Sequence, residues 1–433
     1  MNIFNFLNYE NKRIFEKYSM VLSIRKKISA FLRWSERYTK TDMHYASKGV
    51  FWILLGKAGV FLVSLITMTA FANWLSKETY GTYQFIISLL GIAGIFALSG
   101  MSTSLIRSIA QKKEGTLLAA VKEKIKWGSL GSLGLLLVAL WYFFHHNLVL
   151  AGGFAIGAIF LPFRETFAIT PVFWNGRKRF DLEGLYKVLP AILALCIIIP
   201  VIYFTDNVLW ILFATLGSYV LFDGLFLLRT IRKTDNSDED KEAITFGKTL
   251  TAMDAMVRIA GNIDKIILWK FLGPVQVAIY SFAQFPMKAL GGALPIQSLA
   301  LTKLGEKNIK DIKQGLLRKF FYLFFLSVPL TIFIIFLTPF VYKAFFPQYS
   351  ESVIYFQALT IILIFMPFDL LGAALISDRR KKELFIVRVG TSVLRIILFF
   401  ALTPAFGIWG VIGALLLAEV VRVGMIFFFF QKV

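Results

Sequence analysis

Cysteine is almost absent from this chain: Cys196 stands alone, inside an apolar run. A disulfide framework and a thiolate metal site are excluded with it. Three histidines, His44, His145 and His146, are too few and too scattered for metal ligation and read as solvated helix ends. Acidic residues are scarce, 26 against 47 Lys and Arg, for a formal net charge of +21. Beyond residue 48 the one soluble-looking insert is TDNSDEDKE, residues 234–242, which reads as a charged, mobile linker. The first 48 residues lack the apolar core of a cleavable signal peptide. No phosphate loop, nucleophile elbow or metal-ligand spacing is present, so the sequence points away from an enzyme and from any resident cofactor.

What is abundant is apolar length. Hydrophobic residues make up 57% of the 433, with 45 phenylalanines. Apolar runs of about 20 residues recur throughout, the length that crosses a bilayer. Twelve spans are expected, near 50–74, 82–104, 126–146, 148–172, 187–205, 207–229, 246–272, 276–302, 317–341, 352–377, 384–403 and 406–430. With these boundaries 37 Lys and Arg fall on one side and only Lys77 and Lys343 in the loops of the other. The positive-inside rule then puts both termini in the cytoplasm, and this alternation excludes nucleic acid as the partner of the positive charge. Residues 1–48 form a basic extension. Ile24, Ile28, Phe31 and Leu32 give it an apolar side suited to lying on anionic membrane lipids.

The spans repeat. Leu75–Phe85 aligns with Leu272–Phe282 at an offset of 197, pairing Tyr83 with Tyr280. FLPF at 160–163 resembles FMPF at 365–368, and GRKR at 176–179 falls near DRRK at 378–381. Six spans on each side of a linker at 230–245 make the repeat a parallel one, with lobes at 49–229 and 246–433. The expected fold is an all-α polytopic membrane protein of twelve transmembrane helices in two parallel-repeat six-helix lobes. Two-lobed transporters of this kind hold their substrate between lobes near the midplane.

Charge inside the spans marks where chemistry could sit, because ionisable residues at membrane depth usually face water or a substrate path. Thr251, Asp254, Arg258, Gly261, Asn262 and Lys265 share about a 100° arc of one helix. Tyr280, Gln284, Lys288, Gly291, Pro295, Ser298 and Thr302 share another. Arg258, Lys288 and Arg395 lie about 16–18 Å from the membrane surface at 1.5 Å per residue. No acid is expected at their depth, which points to an anionic cargo such as a phosphate or diphosphate. The alternative is that they pair with Asp254, Asp369 or Glu419 and lock helices together. Nearer the cytoplasmic face, Arg164, Glu165, Asp223, Asp254, Asp369, Glu419, Arg422 and Lys57 suggest gating ion pairs, with static packing equally open. Asp264 and Lys265 could do the same near the outer face. By the repeat offset, Lys57 is the first-lobe counterpart of Asp254, and Gly91 that of Lys288.

Three segments carry a resemblance: LSKETYGTYQFIISLLG from Leu75, NIDKIILWKFLGPVQVAIYSFAQ from Asn262, and FGIWGVIGALLLAE from Phe406. With the twelve spans, the stretch from Tyr45 to Phe430 resembles the polysaccharide-transport branch of the multidrug/oligosaccharidyl-lipid/polysaccharide (MOP) exporters, which includes the Wzx-type O-antigen and capsule-repeat flippases. The resemblance implies a V-shaped, MATE-like pair of lobes around a cationic cavity. It also implies an undecaprenyl-diphosphate-linked oligosaccharide moved from the inner to the outer leaflet of a bacterial or archaeal cytoplasmic membrane by alternating access. Helices one, two, seven and eight line the cavity in such relatives, which would put Lys57, Arg258 and Lys288 on it. Na+ or H+ coupling and association with polysaccharide polymerase machinery stay open. The rival functions are a cation-coupled multidrug antiporter of the same superfamily, and a membrane enzyme or scaffold of polysaccharide assembly.

Overall fold

The computed structural model describes residues 43–293, 309–377 and 380–432, and every regular element among them is helical. The first helices are α1 (Met43–Trp74), α2 (Lys77–Ala93), α3 (Met101–Ala110) and α4 (Thr116–Phe144). Next come α5 (Leu148–Phe167), α6 (Thr170–Gly176), α7 (Phe180–Phe204) and α8 (Val208–Ile231). The chain continues through α9 (Lys241–Ala260), α10 (Ile263–Leu272), α11 (Pro274–Ala293) and α12 (Ile309–Phe345). Last are α13 (Ser352–Thr360), α14 (Phe368–Ser377), α15 (Lys381–Phe385) and α16 (Thr391–Gln431). The basic extension through residue 42, and Pro295, Ser298 and Thr302, lie outside the described residues.

Among the described residues, seven helices are long and apolar enough to cross a membrane, or eight if a pair bent by 48° around residues 365–368 is one span. The chain is a multi-pass membrane protein. The longest apolar stretch, Lys382–Gln431, covers two of the expected spans. Gly407 interrupts it at φ 58°, ψ −133°, a conformation open to a residue without Cβ. A Cβ on Gly410 would lie 2.2 Å from the Leu402 carbonyl oxygen, eight residues back, so the chain turns sharply here. Among the described residues, three expected spans do not meet the length-and-apolarity criterion: 82–104, 246–272 and the part of 276–302 that ends at Ala293. The first two are broken. A turn at 94–100 separates α2 from α3, and Gly261–Asn262 separates α9 from α10. The reason is polarity, because these three segments carry the polar residues of the seam described below.

The repeat offset survives in the element boundaries. The unbroken α1 occupies 43–74, whereas the broken α9 and α10 occupy 241–272. Helices α2 and α11 begin at Lys77 and Pro274, 197 residues apart. These two pack on each other so closely that a Cβ at Gly81 would lie 1.9 Å from the Pro274 carbonyl oxygen. Aromatic contacts extend the junction. Phe85 stacks on Trp269 at 4.5 Å, and Tyr80 meets Phe282 at 4.8 Å. Each such pair adds about 0.5–1.5 kcal/mol beyond its burial. Lys77 and Glu351 bridge the same end of the bundle at 3.1 Å.

At the opposite end the 233–240 segment is docked, which corrects the expectation of a mobile linker. The Arg177 guanidinium donates from Nε to Glu114 Oε1 at 2.6 Å, and its Nη2 meets Asp235 Oδ2 at 3.0 Å. The Asp235 amide donates to Glu114 Oε2 at 2.7 Å, and the Glu114 amide donates to Asn236 Oδ1 at 3.1 Å. Composition alone could not reveal this, because the partners come from two other loops. Burial pushes the Glu114 carboxyl up, but the Arg177 bonds and the Asp235 amide outweigh it and hold its pKa below the usual range. A depressed folded-state pKa contributes stability above the ordinary carboxylate value of about 4.3, lost as pH falls through the depressed one. Amide hydrogen exchange across 233–240, corrected for its intrinsic pH dependence, should show protection unchanged from about pH 8 to about pH 5 and lost in stronger acid.

Candidate functional site

The break between α9 and α10 builds the site. Four carbonyls at a helix C-terminus lack intrahelical donors, and their partial negative charge attracts cations. Here Asn262 Nδ2 donates to the Arg258 carbonyl at 2.9 Å, and the Arg395 guanidinium donates to the Ala260 carbonyl. Arg395 also lies over the Phe399 ring at 5.6 Å. Its charge therefore answers a helix end, and none of Asp254, Asp369 and Glu419 pairs with it.

The α2 helix runs along this break. Lys265 Nζ donates to Gln84 Oε1 at 2.6 Å, and Gln84 in turn donates to the Tyr80 hydroxyl at 2.7 Å. A Cβ at Gly91 would lie 2.7 Å from Asn262 Oδ1, and one at Gly94 would lie 3.2 Å from Arg258 Nη1. The glycines on α2 thus make room for the polar face of α9 and α10. Gly94 also adjoins Glu165, whose carboxylate meets Arg258 at 3.6 Å, each side chain 34% exposed. This corrects the expectation that no acid reaches Arg258. Counting residues from span ends cannot register helices that are offset along the membrane normal.

Asp264 sits one residue from the break and is 1% exposed. Its Oδ2 accepts from the Tyr280 hydroxyl and from Gln284 Nε2, both at 2.8 Å, and its Oδ1 accepts from the Lys265 amide at 2.9 Å. Among the described residues no salt bridge includes Asp264 or Lys265; the Lys265 ammonium reaches Gln84 instead. Gln284 Oε1 and Arg395 Nε are buried without a partner in the described structure, leaving hydrogen-bonding capacity at the seam.

The remaining charges sort into pairs. Arg164 meets Asp223 at 3.3 Å and lies over the Tyr219 ring at 4.4 Å. Arg422 donates to Glu419 and to Asp369, each at 2.9 Å. Asp254 faces Arg388 at 3.8 Å rather than Arg258. Lys57 is half-buried on α1, beside Gly56, which packs on Gly184 of α7. Lys288 is exposed on α11, close enough for its charge to act on Lys265, and no carboxylate among the described residues pairs with it. No group of three or more metal-ligating side chains occurs among the described residues. The break therefore gathers Arg258 and Arg395, with Lys265 on the helix that follows it, whereas Arg164 and Arg422 are each paired with a carboxylate.

Sequence reasoning missed Lys124, which it counted as a loop cation. It is 2% exposed on α4 and donates to the carbonyls of Ala97 and, at 3.3 Å, Leu98. Those carbonyls belong to the turn after α2, where Leu98 has φ 54°. The charges of Glu165 and Arg258 act on it as well. Only the run from Lys122 to Lys126, with lysine at i, i+2 and i+4, hinted that one of the three must face inward. Lys124→Met should cost about 1–3 kcal/mol through unpartnered carbonyls, and surface Lys122→Met less than about 0.5 kcal/mol. Thermal unfolding of the purified variants in detergent measures the difference.

Comparison with known proteins now has geometry to meet. The model of the polysaccharide biosynthesis protein family matches residues 46–302, more than half of the chain. No curated protein matches the sequence. Among solved structures, the lipid II flippase MurJ in an inward closed conformation has a TM-score of 0.68 at 17% identity, over 89% of this chain and 87% of its own. A multidrug resistance MATE family transporter of the MOP superfamily, outward-facing, has a TM-score of 0.62 at 16% identity, over 89% of this chain and 95% of its own. A MOP superfamily transporter from Pyrococcus furiosus has a TM-score of 0.60 at 16% identity, over 89% and 96%. At these identities the likeness establishes the fold, that of the MOP transporters. By its sequence, the chain belongs to the polysaccharide biosynthesis protein family.

Proposed function

We propose that this protein is a flippase for a polyprenyl-diphosphate-linked oligosaccharide. It would move the cargo from the inner to the outer leaflet of the cytoplasmic membrane by alternating access between two six-helix lobes of twelve spans in all. Both termini would lie in the cytoplasm. The observation that carries the proposal is Lys288: an exposed ammonium on α11, one turn from Gln284 of the seam, with no carboxylate partner among the described residues. Arg258 adds to it, being one-third exposed and only loosely paired with Glu165 at 3.6 Å. An arriving diphosphate offers more acceptor oxygens than that carboxylate and can displace it, since guanidinium–phosphate contacts are strong and often bidentate. Lys57 would line the path from α1. Family membership makes a glycan-assembly intermediate the natural anion, and polysaccharide polymerase machinery the natural downstream partner. Any Na+ or H+ coupling would act through Glu165 or Asp264, the carboxylates of the seam.

The roles separate by experiment. Lys288→Ala and Arg258→Ala should leave the protein in the membrane at parent abundance and remove most surface polysaccharide. Arg395→Ala should instead lower abundance, because Ala260 loses its cap. Normal export by both of the first two variants would show that the cargo docks elsewhere.

A further inference from the structure

The docked segment at 233–240 does more than join two parts of the chain. Its last residue, Asp240, is also the N-cap of α9, where Oδ1 accepts from the Ala243 amide at 3.2 Å. The other oxygen, Oδ2, accepts from the Ser108 hydroxyl of α3 at 3.2 Å and lies 3.5 Å from Lys113 Nζ. The Asp240 amide donates to Thr116 Oγ1, at the start of α4, at 2.8 Å. One residue thus begins α9 and fastens it to α3 and α4.

Upstream, the segment lies across the 112–116 loop. Asn236 Nδ2 donates to the Lys112 carbonyl at 2.7 Å, and Arg177 Nη2 donates to the Lys233 carbonyl at 2.9 Å. Arg177 is itself stacked over Phe173 at 4.9 Å. A Cβ at Gly115 would stand 2.2 Å from the Ser237 carbonyl oxygen, so a glycine is needed for the segment to lie this close.

Downstream, α9 closes onto the same two helices. The Gly100 amide donates to Thr251 Oγ1 at 3.0 Å, and Lys248 meets Glu123 at 2.7 Å. A Cβ at Gly247 would lie 2.8 Å from Met101 Sδ and from Ser104 Oγ. These contacts are short and polar, or depend on missing Cβ atoms. Ile244 of α9 adds apolar packing against the cluster that holds Met101, Leu105 and Ile109 of α3.

We propose that residues 233–240 form a strap that sets how far α9 can part from α3 and α4. Docked on the Glu114–Arg177 pair, the strap keeps this end of the bundle closed. Lifted, it frees the first helix after the linker, and with it the Arg258 end of the seam. The device does not depend on what the protein carries.

The full chain, with Cys196→Ser as background, tests this in lipid nanodiscs. Spin labels at Lys122→Cys on α4 and Thr245→Cys on α9 report their separation by electron–electron resonance. Trypsin cleavage after Lys233 or Lys241 reports whether the strap is docked. Gly115→Ala lifts the strap by steric contact without touching the ion pair, and Glu114→Gln weakens the ion pair without adding bulk. Both variants should be cleaved several-fold faster and should gain a longer-distance population absent from the parent. Faster cleavage with an unchanged distance would overturn the proposal, as would parent-like cleavage in both variants.

Discussion

The carbonyl ends of interrupted helices are what much of the buried positive charge answers to, and the rest of the seam follows from that pairing. Removing an ammonium or guanidinium from water costs several kcal/mol even after relaxation. Hydrogen bonds to a charged group return about 1.5–3 kcal/mol each, so two aligned carbonyls come close to offsetting one cation. Lys124, on the carbonyls of Ala97 and Leu98, meets this condition without an intimate carboxylate, whereas Arg395 has one such carbonyl, that of Ala260, and the face of the Phe399 ring. The breaks therefore do two things together. They free carbonyls that hold cations in the bundle, and they let short polar helices exist where long apolar ones would otherwise pack.

That arrangement leaves an unequal division of charge at the seam. Arg395 and Lys124 are committed to backbone, and Arg164 and Arg422 to carboxylates. Lys288 is not committed to any described carboxylate, Arg258 is weakly so, and the Lys265 ammonium donates to a neutral amide, that of Gln84. Such a surplus suits the anionic cargo proposed above. It also gives Gly91 and Gly94 a reason to lack side chains, since Asn262 and Arg258 occupy the space a Cβ would need.

Much of this was legible in the sequence, and the misses share a cause. The apolar runs and the alternation of basic loops gave a multi-pass helical chain, and the offset of 197 matched the starts of α2 and α11. The arc containing Arg258, Asn262 and Lys265 does face another polar helix. What periodicity could not show was where a helix stops inside the membrane. The Gly261–Asn262 pair signals a C-terminus only once Arg395, 135 residues after Ala260, is known to cap it. For the same reason Lys124 looked like one loop lysine among several, Arg258 looked unpaired, and the 233–240 segment looked mobile. Each depends on partners distant in sequence, which composition and spacing do not encode.

The most direct test is leaflet transfer in vesicles reconstituted with the full chain, using a polyprenyl-diphosphate-linked oligosaccharide and a lectin or glycosidase confined to one side. The account predicts that the parent protein moves this lipid faster than its neutral polyprenol-linked counterpart, and that Lys288→Ala abolishes the difference. Equal movement of the charged and neutral lipids by the parent, or an unimpaired Lys288→Ala variant, would contradict it.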